Sequence, residues 1–181
     1  MRIISGSLGG RRINPPAHMP YTRPTTDMAK EGLFNILGNN LDFEELRALD
    51  LFGGTGNISY ELCSRGVREV VTVEKDPQMH AFITKTSAML GIGNMRIIKQ
   101  EVFRFIRSCQ EDFDLIFAGP PYALTEIDEL PKLIFEHHLL RPGGWFILEH
   151  TPRNDYTRSP HFHAERRYGT TVFSIFILEK P

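Results

Sequence analysis

Three stretches of the chain combine residue types that could hold a charged, ring-bearing ligand. In Leu49-Asp50-Leu51-Phe52-Gly53-Gly54-Thr55-Gly56 an apolar run carries a carboxylate and ends in a glycine-rich turn. Glycines there let backbone approach a ligand closely, and a helix opening behind them presents free N–H groups. Gly54-Thr55-Gly56-Asn57-Ile58-Ser59 departs from the dinucleotide fingerprint, with Ser59 in place of its third glycine. Asp50 would repel a pyrophosphate but suits a ligand with an ammonium and a sulfonium, namely S-adenosylmethionine. Glu74, followed by Lys75, stands 18 positions beyond Gly56, where an acid accepts hydrogen bonds from ribose hydroxyls in this architecture. Glu101 and the amide of Val102 follow a third apolar run and could meet an adenine ring, although an acid there also suits the first turn of a helix.

A fourth stretch, Asp114-Leu115-Ile116-Phe117-Ala118-Gly119-Pro120-Pro121-Tyr122, runs from an apolar strand into a turn with two prolines. Proline fixes φ, removes a donor and biases the residue before it toward extended geometry, so the loop is rigid. Such a turn can simply end a strand. Its position argues for more, because open parallel sheets bind ligands outside the carboxyl ends of their strands. Tyr122 can stack on a base, a contact of about 1–3 kcal/mol, and the turn's carbonyls can face an exocyclic amino group.

The elements that position these stretches are legible as alternation. Strands are expected near 47–52, 69–74, 95–99, 114–118 and 144–149, and helices near 56–65, 77–90, 101–109 and 126–138. Asp76 caps the second of these helices, Pro77 takes its first position and Gly91 ends it. Val102, Phe105, Ile106 and Cys109 form one face of the third. The alternation implies a parallel sheet covered on both sides. After Glu149 it breaks, and residues 161–179 read as a closing antiparallel hairpin turning near Gly169. Ahead of the main domain, residues 2–4 and 11–13 suit a small hairpin. A helix then follows, capped by Thr25 or Thr26, with Ala29, Leu33, Ile36 and Leu37 on one face and Gly38-Asn39-Asn40 as its stop. We therefore expect an extension over residues 1–40 and a domain over 41–181.

Composition sets the frame. A chain of 181 residues, 41% hydrophobic and 24% charged, has the length and balance of a folded domain rather than a disordered one. It shows no membrane span and no apolar leader after Met1, which makes it a cytoplasmic protein by expectation. Cys63 and Cys109 make no disulfide framework, and the histidines show no metal-ligand spacing, so no metal is expected. The net charge of −1 conceals a basic start, with Arg2, Arg11, Arg12, Arg23 and Lys30 against Asp27 over the first 30 residues. Such an arm can contact a polyanion, or can be an ordinary solvated face. A monomer is expected from size and neutral charge.

Asp50 to Gly56 together with a Pro-Pro-Tyr turn after the fourth strand resembles the amino-methyltransferases. More narrowly, Arg2-Ile3-Ile4-Ser5-Gly6, Gly10-Arg11, Thr22-Arg23-Pro24-Thr25-Thr26-Asp27, Lys30-Glu31, Leu33-Phe34-Asn35-Ile36-Leu37, Asp50 to Gly56 and Val73-Glu74-Lys75-Asp76 resemble the RsmD-like family. The match runs from Met1 to about Tyr122, with an echo at Arg167-Tyr168-Gly169. This resemblance implies an α/β, class I S-adenosylmethionine-dependent methyltransferase (Rossmann-like) fold. It also implies methyl transfer to N2 of a guanine in small-subunit (16S) ribosomal RNA, free or in an assembling 30S particle. It further implies that Arg23, Pro24 and Thr25 of the extension help hold the cofactor beside Asp50, Phe52, Gly53, Gly54, Thr55, Gly56, Glu74, Lys75, Glu101 and Val102. Gly119, Pro120, Pro121 and Tyr122 would receive the base, and Arg11, Arg12 and Arg23 the phosphates.

One residue departs from the family pattern. Where the family carries an acid before Pro-Pro, which accepts a hydrogen bond from the target amine and takes up its developing charge, this chain has Gly119. Asp114 lies five residues up the strand, on the order of 16 Å away. Glu149 and Asp128 end or follow strands near the same crevice. A carboxylate restored by Gly119→Asp is expected to raise turnover. Two other readings stay open: a binding module for S-adenosylmethionine and RNA that has lost catalysis, and a DNA adenine-N6 methyltransferase.

Overall fold

In the computed structural model, residues 1–18 and 24–181 are described; Arg23, expected to touch both cofactor and RNA, lies outside them. The alternation from residue 47 builds a seven-stranded sheet. Its strands are β1 (Arg47–Leu51), β2 (Glu69–Val73), β3 (Met95–Ile98), β4 (Phe113–Ala118), β5 (Leu140–His150), β6 (Phe162–Tyr168) and β7 (Thr171–Ile177). The helices are α1 (Asp27–Asn40), α2 (Asn57–Ser64), α3 (Pro77–Met89), α4 (Val102–Ser108) and α5 (Glu129–Glu136). The order across the sheet is β3-β2-β1-β4-β5-β7-β6. The first five strands are parallel, and β7 runs antiparallel between β5 and β6.

Each face of the sheet has its own helices, and strand alternation decides which residue meets which. On β4, Ile116 and Ala118 join Val102, Phe105 and Ile106 of α4 and Leu130 and Ile134 of α5. Leu115 and Phe117 point the other way, into a second core with Ala29, Leu33, Phe34 and Leu37 of α1 and Ile58 and Leu62 of α2. Burial on both faces explains why these strands read as nearly continuous apolar runs.

The start and stop signals behave as expected at α3, where the Asp76 carboxylate accepts from the Met79 amide and Pro77 opens the helix. Thr26 caps α1, accepting from the Ala29 amide. Helix α1 ends at Asn40, within the expected Gly38-Asn39-Asn40 stop; the Asn40 side-chain amide donates to the Ile36 carbonyl, and Leu41 turns extended. Its buried face is Ala29, Lys30, Leu33, Phe34 and Leu37, with Ile36 only half-buried. Strand β5 begins at Leu140, earlier than its sequence suggests, because Pro142-Gly143-Gly144 passes through it with a register shift against β4.

The residues expected to form an N-terminal hairpin do run antiparallel, through a bridge between Arg2 and Arg12 and bonds from the Ile3 amide to the Arg11 carbonyl and the Ile13 amide to the Met1 carbonyl. Ile3 and Ile13 are buried with Tyr60 and Ile83. The arm is pinned from beneath by Glu61 of α2, which accepts from the Ile4 and Ser5 amides at 2.9 and 3.1 Å. Lys30 of α1 lies 3.3 Å from the same carboxylate, both side chains being fully buried. Its ammonium also donates to the Arg2 carbonyl at 2.6 Å and to Asn57 at 2.8 Å. At the other end of the chain, α1 packs on β6, and the Tyr168 ring lies so close to Gly32 that a Cβ there would sit 2.3 Å from it. Among the described residues no helix is long and apolar enough to cross a membrane.

Candidate functional site

The carboxyl ends of β1, β2, β4 and β5 open into one cleft of about 890 Å³. Its floor is the turn after β1. Phe52 (φ 61°), Gly54 (φ 59°) and Gly56 (φ 85°) all take left-handed backbone there, a geometry that costs a non-glycine residue about 1–3 kcal/mol. At Phe52 that cost is offset by a ring packed on the α4/α5 core. Gly53 is required for a different reason. Its amide donates to the Val73 carbonyl at 2.8 Å, and a Cβ would stand 2.6 Å from the Thr72 methyl.

Asp50 lies beneath this turn, 1% exposed, and accepts a 2.6 Å hydrogen bond from the Ser59 hydroxyl. Burial pushes its pKa up to about 7; the Ser59 bond opposes the shift, while the nearby Glu74 and Glu149 charges add to it. The Glu74 carboxylate accepts from the Gly54 amide at 2.9 Å and from the Asp76 amide at 2.7 Å, which ties the turns after β1 and β2 together. Glu101 is the cap of α4: its two oxygens accept from the Phe103 and Arg104 amides at 2.7 and 3.0 Å. Glu101 is thus a side-chain N-cap rather than an acid of the first helical turn, and it lines the cleft as well.

Opposite the glycine turn, Gly119, Pro120, Pro121 and Tyr122 form a wall at the end of β4, and Tyr122, 36% exposed, sits at the mouth. Pro24 and Thr25 enter from the N-terminal side. The Thr25 hydroxyl donates to Glu149 Oε1 at 2.6 Å, and the Asn57 side-chain amide donates to the Thr25 carbonyl at 3.2 Å. Phe52, Gly53, Gly54, Thr55, Lys75 and Val102 line the same space. Gly56 belongs to the turn behind the lining, its φ and the Tyr60 ring leaving no room for a side chain. Arg11 and Arg12 stand outside the cleft on the exposed arm, Arg12 beside a smaller recess with Met1, Arg2, Asn14 and Asp27. Asp128 is turned away from the cleft, accepting from the Tyr156 hydroxyl at 2.8 Å.

Residues 1–177 match the family model described as conserved hypothetical protein 95. The chain belongs to this family, the RsmD family. A relative, the ribosomal RNA small subunit methyltransferase D of Escherichia coli strain K12, is 26% identical over 179 residues, which are 97% of this chain and 89% of the relative. A solved hypothetical protein of Thermus thermophilus is 27% identical and superposes with a TM-score of 0.85 over 97% of this chain and 98% of its own. An RNA methyltransferase from Salinibacter ruber, solved with S-adenosyl-L-homocysteine, shares the fold at 15% identity, with a TM-score of 0.69 over 88% of this chain and 95% of its own. The RsmD-family chain thus has the class I methyltransferase fold.

Several residues around the cleft of this RsmD-family member carried little or no signal in sequence. Asn57 was visible only as part of the near-fingerprint, yet it links Lys30 to Thr25. Arg107 and Glu129 reach the cleft from α4 and α5, and nothing in their local pattern separates them from solvated helix charges. Glu149 was visible as an acid at the end of β5, but not its bond to Thr25.

Proposed function

We propose that this chain is an S-adenosylmethionine-dependent methyltransferase acting on N2 of a guanine in small-subunit ribosomal RNA. The observation that carries the proposal is that one cleft joins two unlike halves: an acidic, glycine-floored half at β1 and β2, and a rigid Pro-Pro-Tyr half at β4. The similarity to the Escherichia coli ribosomal RNA small subunit methyltransferase D supports the RNA substrate.

The residues present fit the cofactor. Asp50 is a carboxyl that burial pushes up to about 7, and a cationic methionine head would favour its ionised form. Glu74 stands where a diol can be held, and two acids around the glycine turn oppose a pyrophosphate. S-adenosylmethionine supplies an electrophilic methyl group on a sulfonium. Asp50 and the Gly53-Gly54 backbone would hold its amino-acid end, Glu74 and Lys75 its ribose, and Val102 with Glu101 its adenine. Pro24 and Thr25 close the near side. Pro120 and Pro121 would present carbonyls to the target amine while Tyr122 stacks on the base, and Gly119 leaves space between them. Positioning of this kind supplies much of the rate of an in-line transfer. Residues 1–40 would act as an RNA- and cofactor-contacting extension, with Arg11, Arg12 and Arg23 on phosphates.

The test is incubation with methyl-labelled S-adenosylmethionine and immature small ribosomal subunits, followed by nucleoside analysis. Label in N2-methylguanosine is the expected result. Cofactor binding without transfer would instead establish a binding module, and preferential labelling of adenine in duplex DNA would reassign the substrate.

A further inference from the structure

Methylating an exocyclic amine forms an N–C bond and leaves the nitrogen with a proton to lose. A group that accepts a hydrogen bond from the amine and then takes that proton lowers the barrier. Gly119 has no side chain to do so. Among the other carboxylates that line the cleft, Glu74 is held by the Gly54 and Asp76 amides, Glu101 by those of Phe103 and Arg104, and Asp50 is bound to Ser59 under the glycine turn. Asp76 caps α3, Glu126 accepts from the Thr125 hydroxyl, and Glu129 opens α5. None of these ends the strand beside the Pro-Pro turn. Glu149 does.

Its placement follows from register. In the parallel pairing of β4 and β5, Ala118 lies opposite Leu148, so Gly119 and Glu149 come next, side by side and about 4.8 Å apart across the strands. Side chains in step leave the sheet on the same face. Here that is the face of Phe117 and Ile147, where α1 packs and where Thr25 precedes it. A Cβ built on Gly119 would lie 3.5 Å from Glu149 Oε2. The Glu149 carboxylate thus already stands at the edge of the space that an acid at position 119 would enter. The backbone of Gly119 is not left-handed, so conformation does not demand a glycine. Glu149 is 5% exposed, lines the cleft, and is held at its other oxygen by the Thr25 hydroxyl.

We propose that Glu149 is the catalytic acceptor for the target amine and that Thr25 is its positioning residue. The assignment rests on the methyltransferase reading above. The amine lone pair forms the bond to the methyl carbon, and the C–S pair leaves with sulfur to give S-adenosylhomocysteine. An N–H proton passes to the Glu149 carboxylate and from there to solvent. Acid–base assistance of this kind is worth about 10²–10⁴-fold.

The experiment measures kcat and KM for RNA, together with S-adenosylhomocysteine affinity and thermal unfolding, on the full chain and its variants. Glu149→Gln keeps the shape and an acceptor for Thr25, and is expected to lower kcat by about 10²-fold or more, with cofactor-product affinity and RNA KM little changed. Adding Gly119→Asp to that variant returns a carboxylate to the same space from the next strand and recovers much of kcat. Gly119→Asp alone lowers turnover, because two neighbouring carboxylates cannot both ionise easily; this replaces the gain expected from sequence alone. An aspartate at 119 meets the Phe117 ring, 3.0 Å from the Cβ position, so Glu149→Asp provides a second arm and retains more activity than Glu149→Gln. Thr25→Val lowers kcat rather than raising KM, and Thr25→Ser restores it. A native kcat in Glu149→Gln, or a loss that merely follows lost affinity or melting, overturns the assignment. Absence of transfer by the native chain despite cofactor binding overturns the proposed function itself, and is told apart because no variant need be compared.

Discussion

Asp50 shows how much of the site is set by one buried group. An unfolded aspartate titrates near 4, whereas burial raises Asp50 to about 7. Between those values the folded chain binds a proton that the unfolded chain has lost. Stability therefore falls as pH rises from about 4 to 7, and above 7 the full cost of a buried charge is present, about 1.4 kcal/mol per pKa unit. Asp50→Asn keeps an acceptor for Ser59 and removes the charge. Its melting temperature should exceed that of the native protein at pH 8, by about 2–4 °C for each kcal/mol relieved, with the two curves converging near pH 4. Binding carries the opposite sign. A cationic ligand favours the ionised form, so affinity for S-adenosylhomocysteine, which keeps the ammonium, should rise from pH 6 to 8 with proton release, and Asp50→Asn should bind weakly with a flatter profile. Calorimetry in buffers of different ionisation enthalpy checks both points. Asp50 and Glu74 were readable from sequence because strand-end position and spacing within one repeating unit define them. Thr25 and Glu149 were not readable as a pair, being 124 residues apart.

At the scale of elements, what holds the N-terminal arm is a buried ion pair shared by two helices. Lys30 and Glu61 have no exposed side-chain surface, and Glu61 also receives the Arg65 guanidinium at 2.8 Å. Burial alone would raise the Glu61 pKa, but the Ile4 amide, Arg65 and Lys30 outweigh it and hold the carboxyl below its ordinary range. Breaking such a pair leaves an uncompensated charge inside, at a cost of about 3–5 kcal/mol. Glu61→Ala should lose stability of that order in urea unfolding, and the Ile4 and Ser5 amides should lose their protection from hydrogen exchange. The elements themselves were legible, because apolar runs alternate with clear caps at Thr26, Asp76-Pro77 and Gly91. The face of α1 was less so. A lysine between apolar residues reads as a solvated charge until its partner on α2 is known.

On the scale of the molecule, charge is distributed more tellingly than its sum. Arg2 is paired with Asp27 at 2.9 Å, while Arg11 and Arg12 are exposed on an arm that stands apart from the cleft. If both meet phosphates, RNA affinity falls with salt, and replacing both with alanine should make the slope of log affinity against log salt shallower by about 0.7–0.9 per arginine. Filter binding across a salt series measures this, and an unchanged slope removes them from the phosphate role. The parallel sheet and the closing hairpin were visible in the strand–helix rhythm and in the turn at Gly169. Strand order was not, since nothing local says that β7 would slip between β5 and β6. That insertion sets the order in which the molecule can be completed. Residue 25 leaves a ribosome long before residue 149, and Gly32 waits for Tyr168 before α1 has its seat. During its own synthesis the chain therefore carries the glycine turn well before it has a finished cleft, and a product truncated ahead of β6 lacks the Tyr168 ring that covers Gly32, one part of the surface on which its first helix docks.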